Sequence, residues 1–379
     1  MKSVMIFFGK IIFLLRRHAP PQNPRRIVIF KIGAIGDVLM STPFVRRGRE
    51  SYPDAKITYV VGNWSAPVLA GSPFIDEIIA FDDSILWGKK WSGILQLLRT
   101  MRSLHADLGF VLDRHYFAAL FAFFGGIRYR VGFDRNGEGF ANNTNVPYGP
   151  IRHEIEYNLD LLRVLGHQID DAKMEVFLSK EDITFADRYL EKHHLRTELC
   201  IGIMPGGAKN PGQEMLIRRW PLDYYQKFLQ RAATDLPNSV FLLFGGPKDR
   251  TTNEVLCAEL PQRAYNTAGE ATIKQSMALM RRCSVFVTHD SGPMHMAAAG
   301  GVPVISIFGP VHPERKAPRG KEHRYIWKPD KEGALCDNEG VFPKSVTELP
   351  CMRAVTPEEV FRALKDVLAE EFRIEKNNA

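Results

Sequence analysis

From Arg26 onward the chain alternates short β-branched runs with helix-length amphipathic ones, and it does so twice. "RIVIF" (26–30) is apolar on both faces, as in a parallel strand covered by helices. "KITYVVG", "EIIAFD", "DLGFVLD", "RYRVGF" and "MEVFLS" read as further strands. Among them lie the helical candidates "KKWSGILQLLRTMRSLH", "YFAALFAFFGG" and "HEIEYNLDLLRVLG". That pattern predicts one mostly parallel α/β unit ending near residue 180. After a helix at "KEDITFADRYLEKHHL" the alternation restarts. "ELCIGIMPGG", "SVFLLFGG", "SVFVTHD" and "VPVISIFGP" are strands that each run into Gly, Pro or Asp. Helices "PLDYYQKFLQRAAT", "KDRTTNEVLCAEL" and "TIKQSMALMRRC" separate them. Ligands of open α/β sheets bind off the carboxyl ends of the strands, where such loops collect. The expected architecture is therefore α/β: two doubly wound, Rossmann-like domains facing across a cleft, at 26–180 and 181–355. A helix in 356–379 closes the chain, with Thr356 as its cap and Pro357 at its first position.

A chain of 379 residues, 45% hydrophobic and 25% charged, accommodates two such cores. The net charge of +7 favours an anionic partner, although the cations are scattered and also suit a solvated surface. Five cysteines without a C-x-x-C fit a reducing compartment better than a disulfide framework. Residues 1–25 stand apart. "VMIFFGKIIFLL" followed by "RR" is too short to cross a bilayer core, which takes about twenty residues in a helix. Its apolar sides, with Lys2, Lys10, Arg16 and Arg17, predict a helix lying in the membrane surface over residues 1–17. The alternative is an apolar arm docked on protein. "HAPPQNPRR" then serves as a proline-stiffened linker.

Three loops carry the chemistry. Between Gly202 and Pro221, Gly206 and Gly207 leave a strand and are followed by Lys209, Arg218 and Arg219. Glycines admit backbone N–H groups to an anion, and neighbouring cations stabilise phosphate charge. Gly245 and Gly246 repeat the theme at the next strand end, where a plain turn is the competing reading. In "VTHDSGPMHMAAAGG" a strand ends at Asp290, Ser291-Gly292 make the turn and a helix follows. Its amino terminus suits a pyrophosphate, with Asp290, Ser291 and His295 as added hydrogen-bonding groups. An Asp-Ser helix cap is the bland alternative. No Asp-x-Asp or His-x-x-x-His pattern offers a metal site.

In order, "IGDVLMSTP", "PGG…RRWP", "LFGGPKD", "NTAGE" and "DSGPMHMAAAGGVPVISIFGP" resemble family 9 glycosyltransferases, the bacterial ADP-heptose:lipopolysaccharide heptosyltransferases. The likeness runs from about Arg26 to the last helix. It implies a GT-B fold with the donor held mainly by the second domain. It also implies metal-independent, inverting transfer without a cofactor, on the cytosolic face of the inner membrane. The implied partners are an ADP-sugar and a lipid-linked saccharide, with no nucleic acid. The family's acidic residue after the first strand falls on Asp37, and its basic phosphate position before Trp-Pro on Arg218 or Arg219. Its sugar-nucleotide segment falls on Asp290, Ser291, Gly292 and His295. The stretch between Pro205 and Trp220 is longer than in many heptosyltransferases, which often carry a lysine where Arg218 stands.

Inverting transfer needs a base to take a proton from the attacking hydroxyl, and Asp37 is the candidate. Gly36 keeps the loop slim, and Arg46, Arg47 and Arg49 are the nearest cations for a phosphorylated acceptor. A solvated helix face is the competing reading of those three arginines. For Asp37 it is a cap on a helix starting at Val38. A nicotinamide oxidoreductase fits less well, because "GAIGD" lacks the G-x-G-x-x-G spacing. A non-catalytic nucleotide-binding protein and a family member using another nucleotide sugar complete the alternatives.

Overall fold

The computed structural model describes residues 19–88, 90–170, 173–195, 199–207, 209–210, 213–329 and 349–378, so the apolar segment 1–17 lies outside it. The chain divides after Phe177 into two compact units. Among the described residues no helix is long and apolar enough to cross a membrane.

Unit 1 holds strands β1 (Arg26–Lys31), β2 (Lys56–Gly62), β3 (Glu77–Phe81), β4 (Leu108–Val111), β5 (Tyr129–Asp134) and β6 (Thr144–Pro147). They form one sheet in the order β3-β2-β1-β4-β5-β6, and every neighbouring pair is parallel. Unit 2 holds β7 (Leu199–Met204), a two-residue hairpin of β8 (Lys209–Asn210) and β9 (Gln213–Glu214), β10 (Ser239–Leu243) and β11 (Ala264–Asn266). β12 (Val285–His289), β13 (Val304–Phe308) and β14 (Arg324–Trp327) follow. Its main sheet runs β11-β10-β7-β12-β13-β14, again wholly parallel. Both orders are doubly wound, with the reversal at β1 in one unit and β7 in the other.

The strands depart from expectation in both units. "MEVFLS" is not a strand. Val176 is buried, and the Glu175 N–H donates to Thr42 Oγ1 at 3.0 Å, so the segment runs along the helix Thr42–Ser51 instead of the sheet. The sixth strand of unit 1 is β6, only four residues long and ending in Pro147, which suits an edge because proline cannot donate to a further neighbour. In unit 2, β11 and β14 occupy the two edges and escape a search for long apolar runs.

The core of unit 2 explains the closing helix, Pro357–Asn378. Val360, Phe361, Leu364, Val367 and Leu368 pack with Tyr225, Phe228, Leu229 and Ala232 of the helix Leu222–Asp235. Thr356 caps it, receiving the Glu359 N–H at 3.4 Å while Glu359 accepts the Thr356 N–H at 2.9 Å. Trp220 is fully buried against Tyr225 and Phe228, and its indole N–H donates to Val355 O at 2.8 Å. A buried aromatic of that size anchors the short 3₁₀ turn Leu216–Arg218 in front of it.

Close packing in this core yields a test. A Cβ on Gly202 would sit 2.5 Å from Phe286 and 3.0 Å from Cys283 Sγ, whereas one on Gly149 meets nothing within 4 Å. Gly202→Ala should lower stability by about 1–3 kcal/mol through overpacking. Gly149→Ala should stay within about 0.5 kcal/mol of the parent in the same denaturant melts.

Candidate functional site

In unit 2 the strand order reverses at β7, between β10 and β12, and a crevice opens at the carboxyl end of such a strand. Pro205–Gly207, Gly245–Gly246 and Asp290–Gly292 leave these three strands at that edge. Buried among them is a carboxylate, Asp249. It accepts the Gly207 N–H at 3.2 Å and the Gly246 N–H at 3.0 Å, and it lies 3.7 Å from Arg219. The glycines are shaped to it. A Cβ on Gly206 would come within 2.3 Å of Asp249 Oδ1, and one on Gly245 within 2.7 Å of Asp249 Cβ. Gly207 also requires φ of +80°, where a side chain is strained. The expectation that Gly207 and Gly246 offer their amides to a phosphate is thereby corrected. An internal anion already occupies that position.

The cations are placed by the same framework. Arg219 donates through Nε and Nη2 to Gly207 O at 3.1 and 2.7 Å. Arg218 Nη1 lies 3.1 Å from Asp290 Oδ2, a charge contact without hydrogen-bond alignment. Arg218 Nε and Asp290 Oδ2 are buried and have no hydrogen bond among the described residues. Buried polar atoms are rarely left so. The helix Gly292–Ala299 starts directly behind this pair. Ser291 is its N-cap residue but makes no side-chain cap bond, so the cap reading of Asp290-Ser291 does not hold. Its hydroxyl lies 3.4 Å from Thr288 Oγ1. His295 is buried in that helix. The Lys209 side chain lies outside the described residues.

Between the two arginines and the core sits His289, wholly buried at the end of β12. Tyr225 donates its hydroxyl proton to Met204 O at 3.1 Å, and His289 Nδ1 lies 3.2 Å from the Tyr225 hydroxyl oxygen. Burial pushes the His289 pKa down to about 3, with Arg219 and Arg218 adding to the effect and Asp290 opposing it. The ring is neutral at physiological pH, an uncharged backing to a charged surface.

In unit 1 the corresponding edge carries Asp37. The helix Ile35–Leu39 begins two residues before Asp37, with Ala34 as N-cap, so Asp37 is not the cap residue expected of a helix from Val38. Pro43 then lies in the first turn of the next helix, Thr42–Ser51. Gly33 separates Asp37 from Lys31: a Cβ there would meet Asp37 Cβ at 3.0 Å and Lys31 Cε at 3.2 Å. Lys31 is buried and donates to Leu112 O at 2.8 Å, 3.8 Å from Asp113. Asp113 accepts the Ile32 N–H at 2.5 Å, and Ser65 donates to Gly33 O at 2.8 Å. Below them Tyr59 is fully buried, its hydroxyl 2.7 Å from Ser41 Oγ. Burial raises its pKa, helped by Asp113 and Asp37. Gly36 is buried, and its carbonyl accepts the Met40 N–H.

The three arginines expected to meet an acceptor do not join this edge. Arg46 pairs with Glu50 and Glu175, and Arg47 with Glu50. Arg49 binds Asp76 and the carbonyls of Pro53 and Ala55, immediately before β2 and β3 begin. That is the amino edge of the sheet, opposite Asp37. Their positive charge is neutralised locally, which is the bland reading of a helix face.

Sequence reasoning missed Asp249, Asp113 and Lys31. The signal for Asp113 was the acid closing the strand-like run "DLGFVLD". For Lys31 it was a cation ending a run otherwise buried on both faces. Asp249 has a neighbouring partner in Gly246, but Gly207 and Arg219, which show what it holds together, lie in a loop far earlier in the chain.

The model of glycosyltransferase family 9 (heptosyltransferase) matches residues 94–343. The lipopolysaccharide heptosyltransferase 2 of Salmonella typhimurium is 26% identical over 371 residues, covering 91% of this chain and 99% of that one. A solved family 9 glycosyl transferase from Veillonella parvula superposes with TM-score 0.76 at 22% identity, over 92% of this chain and 98% of that one. The E. coli ADP-heptose lipopolysaccharide heptosyltransferase II gives 0.72 at 23% identity, over 91% and 99%. The fold is GT-B.

His289 makes the pH behaviour checkable. Above its unfolded pKa of about 6.5 the ring is neutral in both states and costs nothing. Below it the unfolded chain binds a proton that the folded ring, with its pKa about 3, refuses. Stability is therefore lost as pH falls. Between pH 7 and pH 5 the parent should lose about 2 kcal/mol more unfolding free energy than His289→Gln in denaturant titrations. Equal losses would mean that the ring takes up a proton in the folded chain.

Proposed function

The chain belongs to glycosyltransferase family 9, the heptosyltransferase family, and on that premise we propose the donor, acceptor and chemistry of its transfer. The donor is ADP-heptose and the acceptor a lipopolysaccharide core or another lipid-linked saccharide. Transfer inverts the anomeric centre without a metal ion, on the cytosolic face of the inner membrane, with residues 1–17 lying in that surface. The lipopolysaccharide heptosyltransferases that the chain resembles support the donor and acceptor classes.

The observation that carries the donor side is the pair of arginines at the β7–β12 edge, each beside its own aspartate and both next to an uncapped helix start. With Arg219 oriented by the Gly207 carbonyl and both guanidinium charges balanced by Asp290 and Asp249, the pair meets a diphosphate with little reorganisation. As the acceptor hydroxyl attacks the anomeric carbon, the bond from that carbon to the β-phosphate oxygen breaks. The departing ADP gains negative charge, which Arg218, Arg219, Lys209 and the amino terminus of the helix Gly292–Ala299 stabilise. Gly206 and Gly245 act indirectly, by making room for Asp249.

Asp37 takes the proton of the attacking hydroxyl. A first-turn acid is worth about 0.3–1 kcal/mol to its helix, whereas a general base is worth 10²–10⁴-fold in rate. Asp37→Asn should therefore keep its melting temperature within a few degrees and still bind ADP, while kcat falls at least a hundredfold. Near-parental turnover would remove Asp37 from the chemistry.

The donor assignment is tested without stranding a buried charge. Arg218→Gln with Asp290→Asn removes both partners of one pair. ADP release from ADP-heptose with a lipid A–core acceptor should drop in kcat/KM by at least tenfold, while EDTA leaves the parent's rate unchanged. An unaffected double variant would move the diphosphate elsewhere. EDTA inhibition reversed by one divalent ion would overturn the metal-free transfer.

A further inference from the structure

Unit 1 shows a surface that neither the fold nor the transfer chemistry requires. The helices Trp91–Ser103 and Tyr116–Phe124 follow β3 and β4 and cover one face of the sheet through Leu97, Met101, Ala118 and Ala122. Their outward faces should be polar. On the first, Trp91, Leu95, Arg99 and Arg102 recur at helical spacing in one stripe, with Trp91 71% and Leu95 50% exposed. The second has no polar side chain beyond the Tyr116 hydroxyl, yet Phe117 is 54% and Phe124 48% exposed, one turn-pair apart on the same side. The stripes join where the helices end. Gly125 and Gly126, just after Phe124, sit so close that added Cβ atoms would meet Met101 at 2.9 Å and Arg102 at 3.2 Å.

Charge says what covers this face. Residues 84–106 and 114–133 contain no Asp or Glu. Arg99 and Arg102 are exposed and form no ion pair among the described residues, unlike Arg46, Arg47, Arg49, Arg152 and Arg163. A second copy would bring an identical cationic stripe, and residues 1–17 are themselves basic. An anionic, apolar surface complements it: aromatic side chains enter the headgroup boundary while arginines meet lipid phosphates. We propose that this two-helix face of unit 1 lies on an anionic bilayer, as a contact separate from residues 1–17. The assignment holds whichever sugar is transferred.

The full chain is tested by co-sedimentation with vesicles of phosphatidylethanolamine and phosphatidylglycerol, against vesicles of phosphatidylcholine alone. Arg99→Gln with Arg102→Gln should weaken partitioning to the anionic vesicles about twenty-five-fold, at roughly fivefold per interfacial cation. It should also flatten the dependence on salt. Trp91→Ser with Phe117→Ser and Phe124→Ser should weaken partitioning at least tenfold while melting temperature and ADP affinity stay unchanged. Parental partitioning by both variants would overturn the proposal. So would a loss of self-association in the triple variant with vesicle binding intact, which would make the face an interface between copies.

Discussion

Parallel pairing on both sides of β1 and of β7 is the constraint from which the rest of each unit follows. Parallel neighbours cannot be joined by a hairpin, so each connection crosses back over the sheet, and the loops leaving the strands all gather at one edge. Where the winding reverses, that edge is left open. Both units then close part of the opening with an acid that grips the backbone next door. Asp113, two residues past β4, holds the Ile32 amide of the loop after β1. Asp249 holds the amides of Gly207 and Gly246 together. A carboxylate accepting two or more backbone donors fixes loops that would otherwise fray, because removing it would leave those donors buried and unmet.

This placement changes how the glycine-rich loops should be understood. Gly-Gly after a strand is usually taken as room for a ligand phosphate. Here a methyl group on Gly206 would strike a side chain of the protein itself. The loop is preorganised by the protein's own carboxylate, and in the proposed transfer the pair of arginines it supports would face the donor. Neither guanidinium stands alone: an unpaired buried charge is costly, and the Arg219 fork is oriented by the Gly207 carbonyl. A diphosphate arriving there competes with Asp290 and Asp249 for charge but not for geometry.

Much of this was legible from the residues, because long-period features are local. The doubly apolar "RIVIF", the strand-to-Gly transitions and the Thr356 capping box each express their structure within a few positions, and the structure places them so. The failures are all non-local. "MEVFLS" has the composition of a strand but docks on a helix, since Thr42 takes up its backbone. The cluster Arg46, Arg47 and Arg49 looked like a cationic patch because its carboxylates, Glu175 and Asp76, are far away in sequence. Charge runs state what is present, and only the fold states what is already paired.

The outward face of unit 1 bears on how a lipid-linked acceptor would reach Asp37. Helices that follow parallel strands start near the carboxyl edge and run back toward the amino edge. Trp91 and Phe117, in the first turns of the two exposed helices, therefore lie toward the edge that carries Asp37, and Arg99 and Arg102 lie toward the other. A thirteen-residue helix is about 20 Å long, so the whole face is of the size that a few lipid headgroups cover. With that face on a bilayer, the aromatic end presses into the lipid boundary at the side of the Asp37 loop. A saccharide anchored in the same leaflet then meets the base by moving along the surface, and its lipid never has to leave the membrane. On the proposed bilayer contact, binding energy gained on Trp91 and Phe117 would serve positioning: it would hold the acceptor hydroxyl and Asp37, the proposed base, at one interface, where orientation lowers the barrier.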